Sequence, residues 1–472
     1  MSKIFELGFK RAKGEFSFNQ LPVTGKIPEW LEGTLFRNGP GTFTVGNETY
    51  RHWFDGLAML HKFTIKNGQV SYANKFLQCD AYDEAMKTGR IQYSEYATDP
   101  SRSITGKVFA VFDQRITDSA KVNIEKIGAK YLALGETSEQ VEFDPNTLDT
   151  LGRYHYEEKY KQHITTVHPQ FDFSQNMVYQ LVTRFSRVSH YRFVRIAPNG
   201  KIHVVGEIPV SKPAYMHSFG MSSKYLILTE FPFVVQPLSL LFQIRPFIEN
   251  FKWKPKKGTT ITIMDRGSGK VVSKLKTDAF FAFHHVNAFE IGDELVFDIN
   301  GYPDTGIINA FYLDKLKDKR SEIPFGDLRR YRIDLKTKKI RMELLSDENL
   351  ELSNFDYRRF NLDGDYQYIY AVGLNEQKRA GFYNQLVKID IKKHSSKNWF
   401  KENVFPGEPI FVGKPRRNKE DDGVILSVIL DDHAEKSLLL ILDAETFTEL
   451  ATVEIPHPIL FGYHGAYFSE LF

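Results

Sequence analysis

Apolar and polar positions alternate along this chain in pairs of short runs, each pair joined by a polar turn containing Asp, Asn, Gly or Thr. Alternation with a period of two is typical of a β-strand with one buried face, and two such runs around a tight turn predict a hairpin. Seven hairpins are predicted, with their first strands starting at Phe63, Val141, Val194, Ile261, Tyr331, Val387 and Leu440.

The spacing of these hairpins favours one architecture. They recur at intervals of about 50 to 80 residues, and a four-stranded propeller blade needs about 40–50 residues, with loop insertions supplying the excess. Further strand-like runs lie between the hairpins, and helical patterning is scarce. We therefore predict an all-β, seven-bladed β-propeller that makes residues 1–472 a single domain. Another large all-β fold remains the alternative, because such hairpins are common.

Composition narrows the class of protein. A length of 472 residues would by itself suggest two or three domains, whereas 42% hydrophobic and 26% charged residues indicate an ordinary globular chain. A net charge of +3 over this length is not a nucleic-acid signature. Cys79 is the only cysteine, which excludes an internal disulfide, favours a reducing compartment and argues against a thiolate metal site.

No membrane-crossing or secretory segment is predicted. The N-terminus lacks the apolar core of a signal peptide. The most apolar stretch, Phe231–Ile248, is interrupted by Pro232, Pro237 and Pro246, whereas a spanning helix needs about 20 mostly apolar residues.

Four of the fourteen histidines stand out by their apolar surroundings: His168 in TTVHPQFDF, His217 in AYMHSFG, His284 in FFAFHHVNAF and His464 in FGYHGAYF. Consecutive members of this set are about 50 to 180 residues apart, and they form no local metal-binding motif. In a propeller, however, ligands from separate blades can meet on the central axis. From spacing alone, a metal site is only a hypothesis.

Two longer segments make the hypothesis specific. Phe36–Phe63, FRNGPGTFTVGNETYRHWFDGLAMLHKF, and Glu408–Asp431, EPIFVGKPRRNKEDDGVILSVILD, resemble two signatures of the carotenoid cleavage oxygenases. The similarity is greatest to the animal branch, which contains the β-carotene oxygenases and the retinoid isomerase. The four histidine segments match the family's ligand segments in order, and the resemblance covers essentially the whole chain.

The resemblance implies one Fe(II) ion per chain, on the axis of a propeller that is capped by loops and helices, with O2 as co-substrate. It assigns the ligand roles to His168, His217, His284 and His464, with His285 as a one-position alternative to His284. Four neutral imidazoles suit Fe(II) and leave two octahedral positions open.

The family also places three glutamates behind the ligands, where each accepts a hydrogen bond from a ring N–H and fixes the tautomer. The matching positions are Glu136, Glu351 and Glu408. Beside the iron, many members carry a threonine where this chain has Val122. Because the animal isomerase also carries valine there, this residue leaves both dioxygenation and isomerisation open.

The family's substrates, carotenoids and apocarotenoids, are polyenes that reside in bilayers. We therefore expect a membrane-surface patch at Phe231–Trp253, followed by several lysines. Val108–Phe112 is a second candidate, and burial between blades is the alternative for both. An aromatic content of 14% fits a polyene tunnel or a β core equally well. Our tunnel hypotheses are Phe54, Tyr215, Phe231, Phe233 and Phe283.

The expected function is cleavage of one polyene double bond with O2 to give two carbonyl products. Similarity to the animal branch favours the central 15,15′ bond and retinal. The alternatives are a retinyl-ester isomerohydrolase, a stilbene-type olefin dioxygenase and a metal-free binding scaffold. We expect a cytoplasmic protein at the membrane periphery, with no obligate protein partner.

Overall fold

The computed structural model describes residues 5–101, 117–154, 164–241, 245–318, 320–375, 377 and 381–472. Within these ranges, 36 strands form seven sheets of four to six strands and two short two-stranded ribbons. The strands in chain order are β1 Phe16–Phe18, β2 Val23–Gly25, β3 Gly33–Thr42, β4 Thr44–Val45, β5 Glu48–Thr49, β6 Leu57–Lys66, β7 Gln69–Phe76, β8 Asn123–Ile127, β9 Lys130–Leu134, β10 Gln140–Phe143, β11 Thr150–Tyr154, β12 Ile164–Thr165, β13 Gln170–Asp172, β14 Met177–Arg184, β15 Ser189–Ile196, β16 Ile202–Val210, β17 Gly220–Met221, β18 Tyr225–Glu230, β19 Phe233–Val234, β20 Lys252–Trp253, β21 Thr259–Asp265, β22 Val271–Thr277, β23 His285–Ile291, β24 Glu294–Gly301, β25 Asp327–Asp334, β26 Ile340–Ser346, β27 Leu350–Asn354, β28 Tyr368–Gly373, β29 Gln385–Asp390, β30 Ser395–Phe400, β31 Val404–Pro406, β32 Ile410–Gly413, β33 Gly423–Asp431, β34 Lys436–Asp443, β35 Glu449–Ile455 and β36 Gly465–Phe468.

The seven sheets are the blades of the predicted propeller, which is confirmed. Each is antiparallel, and its hydrogen-bonded order runs from an innermost strand to an outer edge strand. From the inside outwards the blades are β36-β3-β6-β7-β1, β8-β9-β10-β11, β12/β13-β14-β15-β16, β17-β18-β21-β22, β23-β24-β25-β26, β27-β28-β29-β30 and β31/β32-β33-β34-β35-β2.

Both ends of the chain close the ring. The C-terminal β36 pairs with β3, with Thr34 opposite Phe468, and so supplies the innermost strand of the first blade. The N-terminal β2 pairs with β35, with Val23 opposite Val453, and completes the last blade. Strands distant in sequence therefore lock the blades together and fix the axis on which their inner ends meet.

All seven predicted hairpins form: five are the outermost pair of a blade, and β6–β7 and β34–β35 are each flanked by one further edge strand, β1 and β2. A local motif explains their polar turns. In five of them an aspartate at the start of the turn accepts a hydrogen bond from the backbone N–H three residues later, and in three of the five also from the N–H two residues later. Asp334 shows both contacts: its Oδ1 lies 2.8 Å from both Lys336 N and Thr337 N. The others are Asp144, Asp265, Asp390 and Asp443. Such side-chain-to-backbone bonds stabilise a turn without help from the rest of the fold.

The long intervals between hairpins supply a cap of loops and short helices over one end of the axis, as predicted. The α-helices are α1 Asp80–Thr88, α2 Pro237–Leu241, α3 Gly306–Ala310, α4 Leu313–Lys317 and α5 Tyr357–Phe360, and the 3₁₀-helices are Glu6–Phe9, Phe247–Asn250 and Pro255–Lys257. Backbone hydrogen bonds join the cap segments, from Ile248 to Tyr96 at 3.0 Å and from Trp53 to Phe311 at 2.9 Å. In the described part of the chain, no helix has the length and apolar character needed to cross a bilayer.

Candidate metal centre

The four predicted histidines lie where the chain enters, or passes between, innermost strands of four different blades. His168 stands between β12 and β13, and His217 precedes β17. His284 and His464 directly precede β23 and β36. Because all four enter the ring at the same end, the propeller brings together side chains that are far apart in sequence.

Backbone hydrogen bonds hold these four positions. The carbonyl of His217 accepts from Val167 N at 3.2 Å, which joins the loops of two histidines. The carbonyl of His284 accepts from Asn300 N and that of His464 from Asn38 N, each at 3.0 Å. The rings are thus fixed by the blades themselves.

The four side chains form one cluster. One ring nitrogen from each lies within 4.8 Å of those of the other three. His284 Nε2 and His464 Nε2 are 3.2 Å apart, and the His168 and His464 ring centroids are separated by 4.4 Å. In the described part of the chain, this is the group of His, Cys, Asp or Glu side chains placed to share a metal ion.

Three glutamates, Glu136, Glu351 and Glu408, accept hydrogen bonds from three of the rings; Glu351 and Glu408 are buried, and Glu136 is partly buried. Nδ1 of His217 lies 2.6 Å from Glu136 Oε1. The same contact joins His284 to Glu351 at 2.5 Å and His464 to Glu408 at 2.8 Å. His168 has no carboxylate partner within the ranges that the structure describes.

Each glutamate is in turn held by a further donor. Tyr215 donates to Glu136, and Tyr302 donates to Glu351 at 3.0 Å. Glu408 receives Arg37 Nη1 at 2.5 Å. Neither Arg37 nor Tyr302 is among the site residues predicted from the sequence. Arg37 is the one charged residue of strand β3, which is buried along its whole length. Because a buried charge requires a partner, this arginine is the feature of the sequence that could have pointed to a contact with a buried carboxylate.

The donor set fits a cation. In each of these pairs the carboxylate accepts a hydrogen bond from Nδ1–H, so the Nε2 atoms of the neutral His284 and His464 rings carry lone pairs. At 3.2 Å these two acceptors have no proton to share, and Nε2 of His168 is buried without a hydrogen-bond partner. A metal ion among the rings would satisfy all three atoms, as it does in carboxylate–histidine–metal triads.

The protonation states agree with this interpretation. Burial, with repulsion from the rings of His464 and His284, holds the pKa of His168 well below its ordinary value. Burial also lowers the pKa of His464 to about 4, although Glu408 acts in the opposite direction. Both imidazoles are therefore neutral at neutral pH, the form that binds metal.

His285, the alternative to His284, is placed differently. Ser218 donates its hydroxyl proton to the carbonyl of Phe283 at 2.6 Å, so its oxygen accepts from His285 Nδ1 at 2.8 Å. His285 Nε2 then accepts from Thr229 at 2.9 Å. Both ring nitrogens are therefore bonded to residues of the neighbouring blade, and His285 lies outside the cluster.

A cavity of about 220 Å³ opens beside the cluster. His217, His284 and His464 line it, together with Val122, whose carbonyl accepts from His464 N at 3.2 Å. Its aromatic lining consists of Trp53, Phe54, Tyr96, Phe185, Phe247, Phe283, Phe311, Tyr383 and Tyr463.

Of the five tunnel hypotheses, Phe54 and Phe283 lie on this wall, and the other three do not. Tyr215 is buried behind the wall, where its hydroxyl binds Glu136. Phe231 and Phe233 are 3% and 7% exposed and pack in the core, against Phe281 among other residues. At these three positions the aromatic side chains belong to the β core, the alternative that the aromatic content left open.

The proposed membrane patch consists of a buried part and an exposed part. Residues 231–235 are mostly buried, and the carbonyl of Phe233 accepts a hydrogen bond from Tyr215 N at 3.0 Å, so this part holds the segment that leads to His217. The surface portion is α2, where Leu238 is 56% exposed, together with exposed cations beginning at Arg245. The second candidate, Val108–Phe112, lies outside the described residues.

The fold and the centre together define a class: a seven-bladed propeller whose inner strand ends present four histidines, three of them anchored by carboxylates. The family model described as retinal pigment epithelial membrane protein matches residues 9–469. The chain belongs to this family of carotenoid oxygenases, which confirms the resemblance seen in the sequence.

Comparison with individual proteins gives the same family. Human β,β-carotene 15,15′-dioxygenase is 33% identical over 95% of this chain and 92% of its own length. Carotenoid cleavage dioxygenase 8 of Arabidopsis thaliana is 30% identical over 96% of this chain and 84% of its own. The crystal structure of cobalt-substituted Synechocystis apocarotenoid oxygenase superposes with a TM-score of 0.89 at 26% identity, covering 98% of both chains.

Proposed function

We propose that this protein is a non-haem Fe(II) dioxygenase that cleaves one double bond of a carotenoid or apocarotenoid with O2. The observation that carries the proposal is the cluster of four histidines at the wall of an aromatic cavity, in a chain of this family. His168, His217, His284 and His464 would hold one ion, and iron, when bound, would supply the activation of O2.

The protein's own groups prepare the centre. The carboxylates of Glu136, Glu351 and Glu408 keep the proton on Nδ1 of three rings and direct Nε2 inwards. When an ion is bound, these carboxylates would also offset its charge without binding it themselves, and the four histidines would leave room on the ion for O2.

The cavity would hold the polyene. Phe54 and Phe283 meet edge to face at 5.4 Å, and Phe54 and Tyr463 at 5.5 Å. Aromatic walls offer a flat conjugated chain extensive dispersion contact and exclude water. Cleavage then breaks one carbon–carbon double bond and gives each carbon one oxygen atom of O2, so that two aldehydes form without an external reductant.

We further propose the central 15,15′ bond as the cleaved one, with retinal as product. The similarity to the human 15,15′-dioxygenase supports this position. Carotenoid cleavage dioxygenase 8 of Arabidopsis, which is named differently, is almost as similar to this chain. The position of the cleaved bond must therefore be determined by identifying the reaction products.

The substrate would enter from a membrane. Leu238 on α2 is exposed, and its neighbour Leu240 lines the cavity. Cations beside it suit an anionic surface. We expect Leu238→Glu to weaken co-sedimentation with anionic lipid vesicles. Met342→Glu is the matched control, because Met342 is 54% exposed on β26, in an outer hairpin.

The decisive assay loads the protein with Fe(II) without O2, adds β-carotene or an apocarotenal, and then admits ¹⁸O2. The proposal predicts two aldehydes, each carrying one ¹⁸O atom. Absence of aldehyde from every polyene would overturn it. Isomerised product formed without O2 would instead identify an isomerohydrolase, and cleavage confined to stilbenes would identify an olefin dioxygenase of that type.

A further inference from the structure

One part of the cavity wall carries charge. Lys121 and Glu95 both line the cavity, with Lys121 Nζ 2.6 Å from Glu95 Oε2 and side-chain exposures of only 5% and 2%. Thr117 donates to the other carboxylate oxygen at 2.6 Å. We call Glu95, Thr117 and Lys121 the polar wall. None of the three takes part in the metal centre.

A buried ion pair gives little net stability, because desolvation cancels much of the attraction between the charges. The polar wall is therefore not explained by stability, and a cavity that held only hydrocarbons would not need it. The hydrogen bonds of Lys121 indicate a role for this lysine. Its ammonium has three protons. One goes to Glu95 and one to the carbonyl of Ser119 at 3.3 Å, and the third has no acceptor among the described residues.

A second buried pair in the same protein shows the contrast. Lys388 Nζ lies 2.6 Å from Asp421, with exposures of 5% and 8%. It also donates to the carbonyls of Ala444 at 2.7 Å and Glu445 at 3.2 Å. Lys388 thus has three acceptors and lines none of the described cavities. Lys121, by contrast, has one acceptor too few among the described residues, and it lines the cavity.

We propose that Lys121 donates its remaining proton to an oxygen atom of the substrate, so that the enzyme selects polyenes bearing an aldehyde or hydroxyl group over hydrocarbon carotenes. This inference rests on the proposed function. Lys121 and Val122 are consecutive and line the same cavity. An oxygen held by Lys121 therefore lies close to the centre, as it does in a shortened apocarotenoid whose end group is only a few bonds from the cleaved one.

Binding tests the inference without any turnover. Trp53 lines the cavity, so a bound polyene quenches its fluorescence. Metal-free protein is titrated with an apocarotenal and with β-carotene, and the ratio of the two dissociation constants is compared between variants. We expect Lys121→Met to reduce the preference for the apocarotenal by about tenfold, the effect of one charge-assisted hydrogen bond. The iron-loaded enzyme should show the same shift in the ratio of kcat/KM values.

Two further variants keep the test interpretable. Lys121→Met leaves Glu95 unpaired and can unfold the protein, so Glu95→Leu combined with Lys121→Met removes both charges and should show the same loss of preference. Lys388→Met disturbs a pair of equal burial and should leave the ratio unchanged. An unchanged ratio in both Lys121 variants overturns the inference, even where wild type cleaves polyenes. Failure of wild type to cleave any polyene overturns the proposed function instead, and the binding ratio still tests Lys121.

Discussion

The outer hairpins of the blades and the inner ends of the same blades are built on different principles. In an outer hairpin the decisive contacts are local, as where Asp334 binds backbone groups two and three residues away. At the inner ends, His284 contacts Glu351 across 67 positions and His464 across 180. Each outer hairpin is therefore specified by its own short stretch of sequence. The histidine cluster, in contrast, forms only when the blades have closed into a ring.

This contrast has an energetic consequence. An outer hairpin can lose one contact and keep its neighbours, because each turn is independent of the others. At the centre, one group touches several: Glu408 binds His464, Arg37 and the backbone N–H of Gly465. Substitutions at the inner ends should therefore have larger and more widely coupled effects than substitutions at the rim.

The largest effect is expected for Glu351→Leu. The carboxylate of Glu351 accepts from His284, Tyr302 and Leu352 N, so leucine frees the imidazole to rotate. We expect metal affinity to fall about 100-fold, the upper range for such supporting groups, as measured by competition with a chelator. Glu351→Gln keeps an oxygen acceptor and should lose only about tenfold.

Glu420→Gln is the control for this experiment. Glu420 accepts backbone hydrogen bonds from Gln367 and Tyr368, away from the cluster. Its substitution should leave metal affinity as in wild type. Equal affinities in the Glu351 and Glu420 variants would contradict the role of Glu351.

Arg37→Met should have the next largest effect, on stability. Arg37 is buried, pairs with Glu408 and donates to the carbonyl of Tyr463 at 2.9 Å. Its removal leaves a buried carboxylate short of a partner, so the free energy of unfolding in denaturant should fall by about 3 kcal/mol. Arg192→Met breaks the partly exposed pair with Glu207 on β15 and β16 and should lower it by less than about 1 kcal/mol. Similar losses in both variants would remove the distinction between rim and centre.

The smallest effect is expected at the rim itself, for Asp334→Ala. The backbone N–H of Thr337 holds the pKa of Asp334 below its ordinary value, so this aspartate stabilises the hairpin when ionised. We expect the melting temperature to fall by about 2 °C or less at neutral pH, with metal content unchanged. The difference from wild type should vanish as the pH falls through the lowered pKa, because the carboxylate is then protonated in both states.

These two regions also differ in how far the sequence predicts them. All seven hairpins follow from alternation and turn residues, since both act over a few positions. The four histidines and three glutamates were predicted as site residues from the segments that resemble the family, whereas their spacing alone did not single them out. Phe231 and Phe233 look the same in the sequence whether they face a tunnel, a membrane or the core, and only the packing of β19 against the segment of Tyr215 decides. Arg37 and Tyr302 act on residues far along the chain, beyond any local pattern.

The central claim is that four histidines from four blades hold one metal ion, and metal analysis of adjacent-residue variants tests it most directly. His284 lies in the cluster, while its neighbour His285 is bound to Ser218 and Thr229. Folded wild type and His285→Ala, purified after reconstitution with Fe(II), should carry about one iron per chain, and His284→Ala should retain little or none. Equal iron content in the two variants, or none in folded wild type, would contradict the account.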